Sequence, residues 1–198
     1  MKRYVGALTV AMLVLVLLPA TAFADLGYGY TVDPQGFRNR APVSYVFDHQ
    51  ITLLPDLQKS SAQSLKNPSD LFIDSNQHLW IADTDNNRLI ELDQNDTMLR
   101  IVGQTDPKAP KTPATLNAPQ GLYVTPDGTI YVADSGNSRI AVFDNTGKFI
   151  KAFGKPVTEL LKTDASYKPT KVAVDRRGYM YVVNGGGDFR GVIELDNG

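Results

Sequence analysis

The sequence of 198 residues contains no cysteine. Disulfides, thiolate metal sites, cysteine nucleophiles and the lipidated cysteine of a lipoprotein are therefore excluded. Histidine occurs only at His49 and His78, which leaves few groups for acid–base catalysis or metal binding. Neither sign of charge is in excess, because 20 basic and 21 acidic residues give a formal net charge of -1. No strong basic field exists to attract nucleic acid or an anionic membrane surface.

The apolar run at the N-terminus has the features of a secretion signal. Lys2 and Arg3 precede an apolar run from Val5 to Leu18, and Ala22-Phe23-Ala24 fits a small-x-small cleavage pattern. The run is shorter than the ~20 residues that a membrane-spanning helix needs, which favours cleavage over a retained anchor. We expect residues 1–24 to be a signal peptide and the mature protein to be secreted or extracytoplasmic.

Two stretches of the chain have nearly the same sequence. Residues 70–93, DLFIDSNQHLWIADTDNNRLIELD, align without a gap with residues 121–144, GLYVTPDGTIYVADSGNSRIAVFD, at an offset of 51. A third copy begins at Pro169 and contains two additional residues before Val192. Self-similarity at this period indicates a repeat architecture.

Each copy consists of short apolar runs separated by turn residues, which predicts four strands and no helix. In the second copy the predicted strands are 121–125, 129–134, 139–143 and 149–153. Pro126-Asp127-Gly128 is typical of a tight turn between the first two strands. A four-stranded sheet cannot bury itself alone, so the copies must stack, and a radial stack of such sheets is a β-propeller.

The second copy resembles a known family. From Pro119 to Phe143 it follows the pattern P-x-G-hydrophobic and then D-G-x-I-Y-V-A-D-x-x-N-x-R-I-x-V-F, which is similar to the NHL repeat family of β-propellers. The first copy departs from the pattern at Asp70, and the third departs at Lys171 and Asn184. The resemblance implies an all-β propeller of four-stranded antiparallel blades, with about three blades present, at residues 65–103, 116–154 and 167–198.

An N-terminal segment, residues 25–64, lies between the predicted signal peptide and the propeller region at 65–198. Val43 to Asp48 and Ile51 to Leu54 are apolar enough to form strands, and such a strand often closes a propeller ring. Propellers typically close with ~4 to 8 blades, so three blades predict the N-terminal portion of a longer propeller or a truncated reading frame.

An incomplete ring leaves the outer faces of its first and last blades without neighbours. The side chains expected to be uncovered are Leu71, Ile73 and Leu79 at one end and Val172, Val174 and Tyr181 at the other. Uncovered apolar faces drive association, so we expect the chain to self-associate.

The order of the strands places the loops between strands two and three on the same face as the connections between blades, here named the loop face. Longer and more varied loops commonly carry binding sites, so the loop face is the expected binding surface. The irregular third loop, NGGGDFR, contributes the ligand-binding candidates Asp188, Phe189 and Arg190. The corresponding loops of the first two copies contribute Asn86, Arg88, Asn137 and Arg139.

The repeated aspartate, asparagine and arginine also have a structural interpretation. An aspartate that ends one strand of a hairpin lies near an arginine five residues later, and asparagine tolerates turn conformations. Recurrence in two copies favours this structural role. The stretch DTDNN resembles the start of an EF-hand loop, but Arg88 stands where glycine is required and Gln94 where a glutamate is required.

No catalytic motif is evident in the sequence. G-x-S-x-G is absent, and no serine has an evident histidine partner. A metal-dependent lactonase on a propeller needs carboxylates that converge on the central channel, where only Asp70 is expected, together with Lys171. We therefore expect no cofactor and no metal.

These observations predict an exported binding or scaffold module for a protein, peptide or glycan. The alternative is a propeller hydrolase or lyase, of a lactonase-like or amidating-lyase-like kind, with its catalytic residues mostly in further blades. Export and an acidic mature chain disfavour nucleic-acid binding. Contact with a membrane is expected only through a C-terminal anchor outside this sequence.

Overall fold

A computed structural model describes residues 30–32, 34–40, 47–51, 53–55, 62–104, 110–159, 164–186 and 190–196. These residues form fifteen strands and two single-turn 3-10 helices, and no α-helix is present among them. No helix in this part of the chain is long and apolar enough to cross a membrane. The predicted signal peptide lies outside the described residues.

Two short antiparallel hairpins precede the repeats. The first pairs β1 (Tyr30–Val32) with β2 (Arg38–Arg40) and belongs to a unit that ends at His49. The second pairs β3 (Leu53–Pro55) with β4 (Ala62–Ser64) and belongs to the unit that contains the repeats. The predicted strand at 51–54 therefore corresponds in part to β3. Residues 43–46 lie outside the described part of the chain.

Each copy of the repeat forms one antiparallel sheet whose strands neighbour each other in chain order. Blade 1 contains β5 (Pro68–Ile73), β6 (Leu79–Asp83), β7 (Arg88–Leu92) and β8 (Met98–Val102). Blade 2 contains β9 (Pro119–Val124), β10 (Ile130–Asp134), β11 (Arg139–Phe143) and β12 (Phe149–Phe153). Blade 3 contains β13 (Pro169–Val174), β14 (Met180–Asn184) and β15 (Gly191–Leu195). The predicted all-β blades are confirmed.

The first strand of blade 2 begins two residues earlier than predicted. The pairing of β9 with β10 shifts between Ala133 and Asp134, and this irregularity brings Pro119 opposite Asp134. Proline is tolerated at the first position of a strand, where the ladder does not need its missing N–H. The other strands of blade 2 match the predicted ones within a residue at each end.

The blades bury apolar side chains between their facing surfaces. We name the face of a blade toward the preceding blade its front and the opposite face its rear. Between blades 1 and 2 the buried core includes Trp80, Leu89, Leu122, Val132 and Phe143. Between blades 2 and 3 it includes Ala133, Ile140, Val172, Met180 and Val182. Burial on both faces explains why the inner strands are apolar at consecutive positions.

One side chain from each connection inserts into the core just before its blade begins. Leu65, Leu116 and Tyr167 recur at the offset of 51 and belong to the clusters at the fronts of blades 1, 2 and 3. Leu116 is 2% exposed, and its side chain occupies the space beside Gly103. Burial raises the pKa of the Tyr167 phenol to about 12. These residues anchor the end of each connection.

Two sheet faces have no neighbouring blade within the described residues. Leu71 and Ile73 on the front of blade 1 are exposed, as expected, and so are Val183 and Val192 in blade 3. The prediction was wrong for Leu79, which is partly buried against the cluster at the front of blade 1.

The prediction was also wrong for two valines of blade 3. Val172 and Val174 lie on the front of this blade, in the core shared with blade 2. Since side chains alternate between the two faces of a strand, the rear of β13 carries Lys171 and Ala173, which are exposed.

Candidate functional site

On the loop face of blade 2, a hydrogen-bond network joins the turn between β10 and β11 to the preceding connection. Asp134 Oδ2 accepts from Asn137 Nδ2 at 2.8 Å and from Arg139 Nε at 2.7 Å. Its Oδ1 accepts from the Asn117 backbone N–H at 2.7 Å. The Arg139 guanidinium also donates to the Thr115 carbonyl at 3.0 Å. We name this arrangement the turn–connection network.

Blade 1 repeats the network with deeper burial. Asp83 Oδ2 accepts from Arg88 Nε at 2.7 Å and from Asn86 Nδ2 at 2.8 Å, and its Oδ1 accepts from the Lys66 N–H at 2.7 Å. Asn86 also donates to the Ser64 carbonyl at 3.0 Å. Asp83 is fully buried, and Arg88 is 1% exposed.

Blade 3 keeps part of the network without an ion pair at this position. Asn184 Oδ1 accepts from the Lys168 N–H at 2.6 Å, and its Nδ2 donates to the Ser166 carbonyl at 3.2 Å. Gly191 occupies the position of the arginine. All three blades therefore share a hydrogen bond from a backbone N–H of the preceding connection to the side chain that ends the second strand.

The four candidates Asn86, Arg88, Asn137 and Arg139 all take part in these internal contacts. This geometry agrees with the structural interpretation of the repeated set. Of the third-loop candidates, Asp188 and Phe189 lie outside the described residues, and Arg190 is exposed. Their role in binding a ligand stays a prediction.

Asp70, the one carboxylate expected at the central channel, is already paired. Lys171 Nζ of blade 3 lies 2.6 Å from Asp70 Oδ1, and the Leu122 N–H donates to Asp70 Oδ2 at 3.0 Å. Gly121 of blade 2 allows this close approach of the inner strands, because a Cβ at this position would lie 2.4 Å from the Thr170 carbonyl oxygen. The inner strands of blades 1 and 3 are thus joined across blade 2.

A polar cavity of about 220 Å³ lies on the opposite face, between blades 1 and 2. We name it the blade 1–2 cleft. Blade 1 lines it with Asp74, Ser75, Asn76, Trp80, Glu91 and Arg100, and blade 2 lines it with Val124, Thr125, Pro126, Asp127, Gly128 and Asn145.

Two buried carboxylates stand in this cleft. Glu91 is 1% exposed, its Oε1 lies 2.8 Å from His78 Nδ1, and its Oε2 accepts from Arg100 Nε. Asp74 is also buried, and its Oδ2 accepts from Trp80 Nε1 at 3.0 Å. Burial opposes ionisation of Asp74, but hydrogen bonds from Trp80 and from backbone N–H groups hold its pKa below the ordinary value.

Comparison with known proteins gives the same family that the motif suggested. A model of the NHL repeat matches residues 116–143, which hold all but the last strand of blade 2. Human NHL repeat-containing protein 3 is 34% identical over 107 residues, which cover 52% of this chain and 30% of that protein. The mouse protein of the same name is 35% identical over 97 residues, which cover 47% and 27%.

The chain contains an NHL repeat at residues 116–143. It spans less than a third of the length of these relatives. Among solved structures, hydrazine synthase from Kuenenia stuttgartiensis is similar in fold, with a TM-score of 0.52 and 16% identity. The match covers 78% of this chain and 36% of that chain. At this identity the likeness concerns the fold alone.

The NHL pattern accounts for the turn–connection network but not for the cleft. At the offset of 51, the positions of His78, Glu91 and Arg100 hold threonine, valine and lysine in blade 2. Sequence reasoning missed the cleft because it followed what the copies share. The available signal was an ionisable residue at a position where blade 2 has a neutral one, as at His78 and Glu91.

Proposed function

We propose that this NHL repeat chain is an exported binding module whose loop face holds a protein, peptide or glycan. The observation that carries the proposal is the anchoring of the connections. Arg139 bonds to the end of the connection before blade 2, and Leu116 inserts from the same segment into the core. A rigid scaffold that displays variable loops is the usual arrangement for binding sites.

The anchored connections carry exposed side chains that a ligand can reach. Lys111 is exposed in the connection before blade 2, and Val157 is fully exposed in the connection before blade 3. A cation and an apolar group suit a ligand with both acidic and apolar groups.

Binding is tested with a phage-displayed peptide library and a glycan array, probed with the purified chain. For a reproducible ligand, we expect the double variant Lys111→Ser with Val157→Ser to weaken binding about tenfold or more. The matched control is Lys148→Ser with Ile150→Ser, which removes an exposed lysine and an exposed aliphatic side chain elsewhere on blade 2.

Equal losses in the two double variants, or no reproducible ligand in either screen, would contradict binding through the loop face. Turnover of compounds in a lactone panel by the purified chain would support the hydrolase alternative.

Export is tested by expressing the chain with its own N-terminus in a bacterial host. We expect the protein in the extracytoplasmic fraction to begin at Asp25, as read by N-terminal sequencing and intact mass. Leu15→Arg places a charge within the apolar run and should hold the protein in the cytoplasm. An exported protein that still begins at Met1 would show that the predicted cleavage is wrong.

A further inference from the structure

We propose that Asp74, His78 and Glu91 bind a divalent metal ion, with Zn²⁺ as the best match. One ligand atom from each residue lies within 4.8 Å of the others. His78 Nδ1 is 2.8 Å from Glu91 Oε1 and 3.8 Å from Asp74 Oδ2. An imidazole nitrogen with carboxylate oxygens is a ligand set that zinc accepts and that calcium and magnesium use less.

Both carboxylates are oriented by hydrogen bonds from groups that are not themselves proposed as ligand atoms. Asp74 Oδ1 accepts from the Asn76 and His78 backbone N–H groups at 2.8 and 2.9 Å. Glu91 Oε2 accepts from Arg100 Nε, which leaves Oε1 directed at His78. Such outer hydrogen bonds fix the ligands of metal sites and contribute to their affinity.

The burial of Glu91 supports a role other than packing. The equivalent position of blade 2 holds Val142, which is buried in the same way and satisfies the sheet without a charge. Burial of a carboxylate costs desolvation free energy that pairing with Arg100 only offsets, so valine is the simpler solution for the fold. The side chain of His78 is 27% exposed, which leaves the cluster open to solvent.

The charge around the cluster also favours a cation. Asp74 and Glu91 contribute two negative charges, Arg100 contributes one positive charge, and Asp127 lines the same cleft from blade 2. His78 Nδ1 lies within reach of both carboxylates. A metal ion bound among the three side chains would replace the contact of His78 with Glu91 and join the turn after β5 to β7. This proposal departs from the expectation, drawn from the sequence, that the chain binds no metal.

The test is isothermal titration calorimetry of the full 198-residue chain with ZnCl₂, after EDTA treatment and dialysis. We expect one saturable site, weakened at least tenfold by His78→Ala and by Glu91→Val. The matched control is His49→Ala, since His49 is the other histidine of the chain. It is exposed, and its Nδ1 lies 2.7 Å from Asp48 Oδ2. This variant should bind Zn²⁺ as the unaltered chain does.

Thermal unfolding gives a second readout and shows whether the variants fold. Saturating ZnCl₂ should raise the Tm of the unaltered chain by about 5 °C, because a ligand of the folded state stabilises it. Glu91→Val should fold without metal, since it installs the residue of blade 2, and its Tm should not respond to Zn²⁺.

Loss of the site in His49→Ala with retention in His78→Ala would overturn the proposal, as would the absence of saturable Zn²⁺ binding. The site is independent of the proposed binding function, because it lies on the face opposite the loops. The variant Lys111→Ser with Val157→Ser should therefore bind Zn²⁺ normally, whatever its effect on other ligands.

Discussion

Replacing Asp83 with alanine is expected to lower the free energy of unfolding by about 3–5 kcal/mol. Asp83 is fully buried, and its carboxylate accepts from Arg88, from Asn86 and from the Lys66 backbone. Removal of the carboxylate takes the anionic partner from a guanidinium that is 1% exposed. Urea unfolding followed by Trp80 fluorescence, with Trp80 as the single tryptophan of the chain, measures the loss.

Two variants separate the charge of this network from its hydrogen bonds. Asp83→Asn should cost less than Asp83→Ala, because an amide oxygen can still accept from the Lys66 N–H, as Asn184 accepts from Lys168 in blade 3. Arg139→Ala should cost less than Arg88→Ala, because Arg139 in blade 2 is 17% exposed.

Stability of Asp83→Ala within about 1 kcal/mol of the unaltered chain would contradict the structural role of the network. Loss of ligand binding in Arg139→Ala at unchanged stability would instead assign Arg139 to the binding surface.

Replacing Leu116 with alanine is expected to cost about 2–5 kcal/mol, as the truncation of a buried leucine typically does. Leu116 is 2% exposed and belongs to the core shared by blades 1 and 2, together with Val102 and Leu122. The truncation removes apolar contacts and leaves a cavity beside Gly103, because the Leu116 side chain fills the space that a Cβ on Gly103 would enter. Urea unfolding gives the change in free energy, and thermal unfolding should show a lower Tm.

Leu65→Ala is the matched control, since Leu65 is the same residue at the same position of the repeat. Leu65 is only partly buried at the front of blade 1, so the stability lost in Leu65→Ala should be at or below the low end of the range expected for Leu116→Ala. If Leu65→Ala lowers the free energy of unfolding as much as Leu116→Ala does, packing in the core between two blades is not what anchors the connections.

Periodicity and turn chemistry were sufficient to predict the blades. The offset of 51, the alternation of apolar runs with turns, and Pro126-Asp127-Gly128 are local properties, and local properties decide where strands begin and end. The pairing of Asp134 with Arg139 also followed from sequence, because a hairpin brings residues five apart to opposite ends of one turn. The strand limits differed where an irregular pairing extended β9 to Pro119.

Sequence by itself thus determined the repeat, the all-β blades, the resemblance to the NHL repeat and the partners within each hairpin. Only the tertiary structure decided which blade covers each face. The alternation of side chains along β13 assigns Val172 and Ala173 to opposite faces, but it does not say which of the two faces packs against blade 2. The tertiary structure alone also decided the blade 1–2 cleft. Asp74 and Glu91 come from blade 1, and Asp127 reaches the same cleft from blade 2 only because the two sheets stack, a contact that leaves no periodic trace in the sequence.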